Sequence, residues 1–130
     1  YFLERERNDR WNANLSPIVD WLDHLDKEPV TDILFAVDQL QQVGPALGRP
    51  LVDTVNGSKI KNMKELRPPS PKNSEIRILF VFDPKRMAIL LVGGDKSSGK
   101  NNKAKWTGWY RTAIPQAESL YEKHLRELET

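Results

Sequence analysis

The sequence predicts an α+β fold in which two N-terminal helices and one C-terminal helix pack on an antiparallel sheet. Three observations indicate this class. Apolar residues recur at helical spacing near both ends of the chain, stretches typical of strands occupy the middle, and no internal repeat is present. With 130 residues, the chain has the length of a single domain and can bury an ordinary hydrophobic core.

The N-terminal part is predicted to contain a short strand and a first helix. Residues 1–10 have no hydrophobic periodicity and are expected to be extended or frayed. Trp11–Leu15 is a candidate strand. Ser16 followed by Pro17 is typical of a helix start, with a capping side chain and then proline at the first helical position. We therefore predict a helix over residues 17–26.

A second helix is predicted over residues 29–42, beginning near Pro29. Its apolar positions keep a period of 3.6 residues, and Gly44-Pro45 ends it. Since the link to the first helix is very short, the two helices are expected to form an antiparallel hairpin.

The middle of the chain is predicted to form an antiparallel meander. Leu51–Val55 and Ile60–Arg67 resemble two strands joined by Asn56-Gly57, which is a strong hairpin signal. Glu75–Phe82 is the clearest strand, with Ile76, Ile78, Phe80 and Phe82 on one face. Asp83-Pro84-Lys85-Arg86 is a turn with proline in its favoured place.

The C-terminal part is predicted to hold a central strand, a long loop and a final helix. Met87–Val92 is apolar on both faces, which is typical of a central strand. Gly93–Lys105 is rich in glycine, serine and lysine and is expected to be a loop. Helical spacing of apolar residues begins near Ile114 and continues to Leu128.

Composition excludes several classes of protein. The mean hydropathy is −0.61, and the chain lacks an apolar run of the roughly 18 residues that a membrane span needs. Cysteine is absent, which excludes disulfides, cysteine nucleophiles and thiolate metal sites. The charged N-terminal residues lack the apolar stretch of a signal peptide. Together these features predict a cytoplasmic protein that has no metal centre and no contact with a membrane.

The net charge of +2 conceals a strong segregation of charge. Residues 1–58 carry 5 Lys and Arg against 10 Asp and Glu, whereas residues 59–111 carry 13 against 4. Residues 112–130 are again acidic, with 2 against 4. A basic middle between acidic flanks indicates that one part of the fold meets a polyanion.

Two arginines on predicted strands are the leading candidate site residues. Arg77 interrupts an apolar strand, and its same-face neighbours Leu79 and Val81 are apolar, so it is expected to be ion-paired or functional. Arg67 ends the preceding strand and would lie near Arg77 if the two strands pair. The alternative for Arg67 is a cross-strand ion pair with Glu75, which contributes little if it is exposed.

Further cations and aromatic residues follow the central strand. Lys96 comes directly after Gly93-Gly94-Asp95, where a cation beside glycines suits contact with phosphate; the alternative is a solvated loop lysine. Residues 100–111 alternate lysines with aromatic rings, which can bind phosphates and stack on bases. The alternative there is that the rings pack under the last helix. The predicted RNA-binding residues are Lys59, Lys61, Lys100, Lys103, Lys105, Trp109 and Arg111.

An ordered series of short segments resembles the RelE/ParE superfamily of toxins, and most closely its phage-derived HigB-type branch. The similarity spans roughly residues 11–128. The segments are Asn62-Met63-Lys64-Glu65-Leu66-Arg67, Glu75-Ile76-Arg77-Ile78-Leu79-Phe80, Leu90-Leu91-Val92-Gly93-Gly94-Asp95-Lys96 and Trp109-Tyr110-Arg111. The resemblance implies a microbial-ribonuclease-like fold and a toxin of a toxin–antitoxin operon. It also implies that Arg67, Arg77 and Lys96 occupy basic active-site positions, with Tyr110 a looser match to an aromatic residue of related toxins.

The predicted activity is endonucleolytic cleavage of mRNA without a metal or cofactor, inhibiting translation. In metal-free cleavage the ribose 2′-hydroxyl attacks the adjacent phosphate, and cations stabilise the charge that develops. Arg67 and Arg77 would clamp the phosphate, Lys96 or Lys64 would stabilise charge or carry a proton, and Tyr110 would stack or relay a proton. The predicted partners are mRNA, the ribosome and a helix-turn-helix antitoxin encoded by an adjacent gene.

Two alternatives remain open on the sequence. A ParE-like toxin shares the fold and poisons DNA gyrase through protein contacts. A nucleic-acid-binding module without enzymatic activity would account for the charge segregation alone.

Overall fold

In the computed structural model, residues 10–69, 75–95 and 103–129 are described, with the backbone alone described for residues 103–107. The elements follow the predicted order. The helices are α1 (Val19–Asp23), α2 (Lys27–Val43) and α3 (Lys103–Leu128), and the strands are β1 (Asn12–Asn14), β2 (Val52–Thr54), β3 (Lys64–Leu66), β4 (Ile76–Phe82) and β5 (Met87–Asp95). The predicted α+β class is confirmed.

The five strands form one sheet in the order β1-β5-β4-β3-β2. Strands β2 to β5 pair antiparallel to their neighbours, which confirms the predicted meander. Strand β1 pairs in parallel with β5, so β5 lies inside the sheet as predicted. Strands β1 and β2 lie at opposite edges of the sheet, and α1 and α2 connect them. Since β1 and β5 are far apart along the chain and are not joined by a tight hairpin, they can pair in parallel.

The strand alternation of β4 separates two hydrophobic cores. Ile76, Ile78 and Phe80 are buried in the core that contains α2, as the predicted shared face requires. Leu79 and Val81 are buried in the second core, together with Ala113, Ala117 and Tyr121 of α3. Because β4 is covered on both faces, Arg77 lies on a face that is also closed by α3.

Several predicted boundaries are wrong. The first helix divides into a 3-10 turn at Ser16–Ile18 and the short α1, and the prediction that Ser16 caps it is wrong, since Leu15 holds the cap position and no side chain caps either start. Strand β3 spans Lys64–Leu66 instead of Ile60–Arg67, so Asn56-Gly57 lies in a connection that runs to Met63 rather than forming a two-residue turn. The backbone N–H of Val55 still donates to the carbonyl of Met63 and closes this longer hairpin.

The largest correction concerns the C-terminal helix and the loop before it. Helix α3 begins at Lys103, eleven residues before the predicted start near Ile114. Gly108 and Pro115 obscured the pattern because both residues disfavour helix interiors. Packing of Ala113, Ala117 and Tyr121 against the sheet overrides that preference. Trp109, Tyr110 and Arg111 consequently lie on a helix and not in a loop.

Strand β5 extends to Asp95 because its two glycines accommodate aromatic rings on opposite faces of the sheet. A Cβ on Gly93 would collide with the indole of Trp21, and a Cβ on Gly94 would collide with the indole of Trp109. The absent side chains thus let one tryptophan from each layer approach the backbone of β5. Gly94 is also the register partner of Arg77.

Replacing Gly94 by alanine is expected to lower the free energy of unfolding by about 1–3 kcal/mol, since the new methyl group overlaps the Trp109 ring. Gly108→Ala is the matched control, because a Cβ at Gly108 meets nothing within 4 Å and alanine favours a helix. Urea unfolding measures both variants. Equal midpoints for Gly94→Ala and the natural protein would contradict the close packing.

Candidate active site

The sheet brings the two predicted arginines to one face. Lys64 pairs with Phe80 and Leu66 with Ile78, so continuing the register by one residue places Arg67 opposite Arg77. The backbone N–H of Arg67 donates to the carbonyl of Leu51 at 2.7 Å, which extends the β2–β3 ladder to this residue. Directly opposed residues in an antiparallel pair share a face, so the predicted proximity of the two arginines follows from the register.

Arg77 is buried, with 6% of the residue exposed. One terminal nitrogen donates to the carbonyl of Ile76 at 2.8 Å, and the other lies 3.3 Å from the Glu75 carboxylate. Its buried Nε has no hydrogen-bond partner among the described residues. An arginine that is buried and incompletely satisfied retains donor capacity for a ligand that enters the site.

Arg67 is less firmly held than Arg77. Its NH1 lies 3.5 Å from Oδ2 of Asp53, at the limit of a hydrogen bond, and 28% of its side chain is exposed. The same carboxylate oxygen accepts a 2.7 Å hydrogen bond from Arg49. Arg49 and the Thr54 backbone N–H hold the pKa of Asp53 below its ordinary value. The alternative of a cross-strand Arg67–Glu75 ion pair is wrong, since Arg67 has this weaker pairing with Asp53 and Glu75 pairs with Arg77.

Glu65 and Tyr110 form a close polar pair between the sheet and α3. The Tyr110 hydroxyl donates to Oε1 of Glu65 at 2.6 Å, and Glu65 is 8% exposed. Burial, followed by the hydrogen bond to Glu65, raises the pKa of Tyr110, while the charges of Arg77 and Arg67 act to lower it. The phenol is therefore a neutral donor at physiological pH.

Trp109 and Tyr110 of α3 pack beside the face of the sheet that carries Arg67 and Arg77. The Trp109 indole packs against Gly94, next to Arg77 in the sheet register, and its ring centroid lies 5.0 Å from that of Tyr110. The alternative that aromatic rings pack under the last helix therefore applies to Trp109, whose ring is partly buried.

A cavity of about 360 Å³ opens beside the Glu65–Tyr110 pair. Its lining also includes Asp53 and the backbone segment 54–56. The cavity is thus lined by a carboxylate that can accept a proton, and the partly exposed Arg67, two residues along β3 from Glu65, shares its face and can bind an anion. This combination of groups suits a reaction at a phosphodiester, in which one proton is removed and negative charge increases.

The structure does not place Lys64 on the face of the sheet that carries Glu65, Arg67 and Arg77. Lys64 lies on the opposite face of β3, where its Nζ donates to the carbonyl of Pro45 at 3.0 Å and lies 5.9 Å from the centre of the Phe82 ring. The parity of the strand explains the separation, since neighbouring residues of a strand point to opposite faces.

The other predicted site residues are distributed as follows. Lys59 forms an ion pair with Glu122 at 3.3 Å, and Lys61 and Arg111 are exposed. Lys103 and Lys105 are described only as backbone positions in the first turn of α3. Lys96 and Lys100 lie outside the described residues.

Glu65 and Asp53 are site residues that the sequence reasoning missed. The signal that identifies them is strand parity: Glu65 is two residues from Arg67 and therefore shares its face, and Asp53 is the register partner of Glu65. A search restricted to cations and aromatic residues overlooks carboxylates in a basic segment.

Comparison with known proteins shows the family to which the chain belongs. Residues 20–122 match the family described as Phage derived protein Gp49-like, and the chain belongs to that family. Two relatives from Mycobacterium tuberculosis are similar to the chain in sequence. The chain is 47% identical over 119 residues to "Putative toxin HigB2", covering 92% of this chain and 56% of the relative, and 44% identical over 111 residues to "Putative toxin HigB3", covering 85% and 90%. The predicted resemblance to the HigB-type branch is thereby confirmed.

The relatives differ in how much of their length the match includes. The chain spans little more than half of the first relative and most of the second. Among the helices of the described residues, none is long and apolar enough to cross a membrane.

Proposed function

We propose that the protein is the toxin of a toxin–antitoxin pair and acts as a metal-independent endoribonuclease on mRNA. The observation that carries the proposal is that the hydrogen-bonded Glu65 and Tyr110 line one open cavity, while the strand register places Arg67 and Arg77 on the face of the sheet that carries Glu65. The names of the two relatives, "Putative toxin HigB2" and "Putative toxin HigB3", support the toxin part of the proposal.

The residues divide the reaction between charge stabilisation and proton transfer. Glu65 accepts the proton of the ribose 2′-hydroxyl, whose oxygen attacks the adjacent phosphorus. Arg67 exchanges its 3.5 Å contact with Asp53 for the phosphate, and Arg77 directs its buried guanidinium toward the charge that develops there. Tyr110 holds the Glu65 carboxylate in place through its 2.6 Å hydrogen bond.

The departing 5′-oxygen needs a proton. Lys96 is the candidate donor, since it directly follows Asp95, whose register partner Ile76 precedes Arg77 in β4. The P–O5′ bond breaks as the P–O2′ bond forms, and the products are a 2′,3′-cyclic phosphate and a 5′-hydroxyl end. The reaction consumes no cofactor.

The partners follow from this activity. The ribosome presents mRNA in an extended form to a small cavity, and Lys59, Lys61, Lys100, Lys103, Lys105 and Arg111 supply the basic surface that contacts RNA phosphates. A helix-turn-helix antitoxin from an adjacent gene neutralises the toxin in the cytoplasm.

Mapping of mRNA 5′ ends within minutes of induction tests the proposed function. We expect new 5′-hydroxyl ends at recurrent codon positions together with growth arrest, and restored growth when the neighbouring gene is co-expressed. For variants that remove Arg67 or Arg77, Lys85→Ala is the matched control for loss of one positive charge, because Lys85 is an exposed residue of the turn at the far end of β4. Intact mRNA accompanied by double-strand DNA breaks would contradict the nuclease and indicate a gyrase poison.

A further inference from the structure

A second cavity lies on the other side of Tyr110. Its volume is about 390 Å³, and Tyr110 lines both this cavity and the one beside Glu65. The other lining residues are Gly57, Arg111, Ile114, Pro115 and Glu118. The two cavities are therefore adjoining compartments that share one aromatic side chain.

We propose that this second cavity is a nucleobase subsite that holds the base next to the cleaved phosphodiester. The inference rests on the proposed function and adds to it a base-selecting element. A ribose separates a base from its phosphate by about the width of one side-chain ring. A nucleotide with its phosphate beside Glu65 and Arg67 can therefore extend past Tyr110 and insert its base into the second cavity.

The walls of the cavity have the chemistry that an unstacked base requires. Ile114 and Pro115 supply apolar surface, and Tyr110 supplies an aromatic ring. Arg111 is exposed at the same cavity and carries a planar cation that stacks on bases or binds a neighbouring phosphate. Single-stranded RNA is recognised by this combination of stacking surfaces and positive charge.

Glu118 gives the cavity a fixed acceptor. Its Oε2 accepts hydrogen bonds of 2.8 Å from the Ser58 hydroxyl and 2.8 Å from the Lys59 backbone N–H. These contacts join the loop after β2 to α3 and fix the orientation of the carboxylate. The Glu118 carboxylate therefore has a fixed position, and both α3 and the loop after β2 contribute to the wall of the cavity.

A fixed carboxylate discriminates among the four bases. It accepts hydrogen bonds from the N–H groups of guanine and from the amino groups of adenine and cytosine. Uracil offers one N–H between two carbonyl oxygens, which a carboxylate repels. Glu118 therefore selects against uracil at the subsite.

Binding of the four nucleoside 3′-monophosphates tests the subsite without any cleavage. NMR titration of the full chain follows the Ile114 methyl group and the Gly57 amide. We expect shifts at both positions, with uridine 3′-monophosphate binding about tenfold more weakly than the others, as the loss of one hydrogen bond to a charged group predicts. Absence of shifts at Ile114 and Gly57 for all four nucleotides would overturn the subsite.

A variant pair tests the role of the carboxylate. Glu118→Gln keeps the shape and presents an amide, so we expect the discrimination against uracil to fall about tenfold. Glu129→Gln, at an exposed position just beyond the end of α3, is the matched control and should retain the discrimination. If Glu118→Gln fails to fold, Arg111→Gln on the exposed wall serves instead, and it should weaken binding of all four nucleotides. Unchanged nucleotide binding in both Glu118→Gln and Arg111→Gln would refute the inference.

Failure of the subsite and failure of the proposed function give different results. Base-selective binding without RNA cleavage leaves the subsite intact and removes the nuclease. Cleavage without base-selective binding keeps the nuclease and removes the subsite.

Discussion

Replacing Arg77 by alanine is expected to lower RNA cleavage about 100- to 1,000-fold, because the proposed mechanism assigns its guanidinium to the charge that develops in the transition state. The side chain also donates to the Ile76 carbonyl and pairs with Glu75, so we expect a cost of about 1–3 kcal/mol in the free energy of unfolding. Cleavage of a defined mRNA on ribosomes measures the first effect, and urea unfolding measures the second.

Comparison with Arg77→Lys separates catalysis from packing. An ammonium keeps the charge but lacks the bidentate geometry of a guanidinium, so we expect it to restore only part of the activity. Lys85→Ala removes the same charge from an exposed turn and should cleave RNA at the natural rate. A folded Arg77→Ala protein that retains full cleavage would exclude Arg77 from the active site and reduce its role to the ion pair with Glu75.

Replacing Glu65 by glutamine is expected to lower cleavage about 100- to 10,000-fold, the range that general bases contribute. Glutamine has nearly the same shape and still accepts a hydrogen bond from the Tyr110 hydroxyl, but it cannot take the proton of a 2′-hydroxyl. Single-turnover cleavage rates on ribosome-bound mRNA measure the loss. We expect mRNA binding to stay close to that of the natural protein.

Tyr110→Phe tests the positioning role of the phenol separately. It removes the 2.6 Å hydrogen bond while keeping the ring, so we expect a fall in kcat of about tenfold with little change in KM. Glu129→Gln, at an exposed carboxylate just beyond α3, is the control for the loss of one negative charge in Glu65→Gln. A Glu65→Gln variant that cleaves at the natural rate would show that Glu65 is a structural partner of Tyr110 and that another group accepts the proton.

The position of Arg77 was predictable because β4 is long and its alternation is uninterrupted. Seven residues of that strand keep period 2, so the face of Arg77 follows from the sequence without knowledge of the partners. Arg67 was also predictable, since a meander pairs consecutive strands and opposed residues share a face. The same parity excludes Lys64 from the group, and applying it to every residue of β3 identifies Glu65.

The Glu65–Tyr110 pair was beyond prediction from local patterns. The two residues are separated by 45 positions, and Tyr110 falls between the predicted loop Gly93–Lys105 and the predicted helix start near Ile114. Tyr110 is helical because Ala113, Ala117 and Tyr121 of the same helix pack into the second hydrophobic core. This tertiary packing outweighs the low local helix propensity.

Local patterns were sufficient to predict the order of elements, the meander, the two faces of β4 and the basic middle of the chain, because each depends on the spacing of residues close together along the chain. Which groups meet at the end of the sheet depends on long-range packing. Only the packing of α3 brings Tyr110 to Glu65, the Trp109 ring to Gly94 and Glu118 to the loop after β2, since these contacts join segments whose separation no local period records.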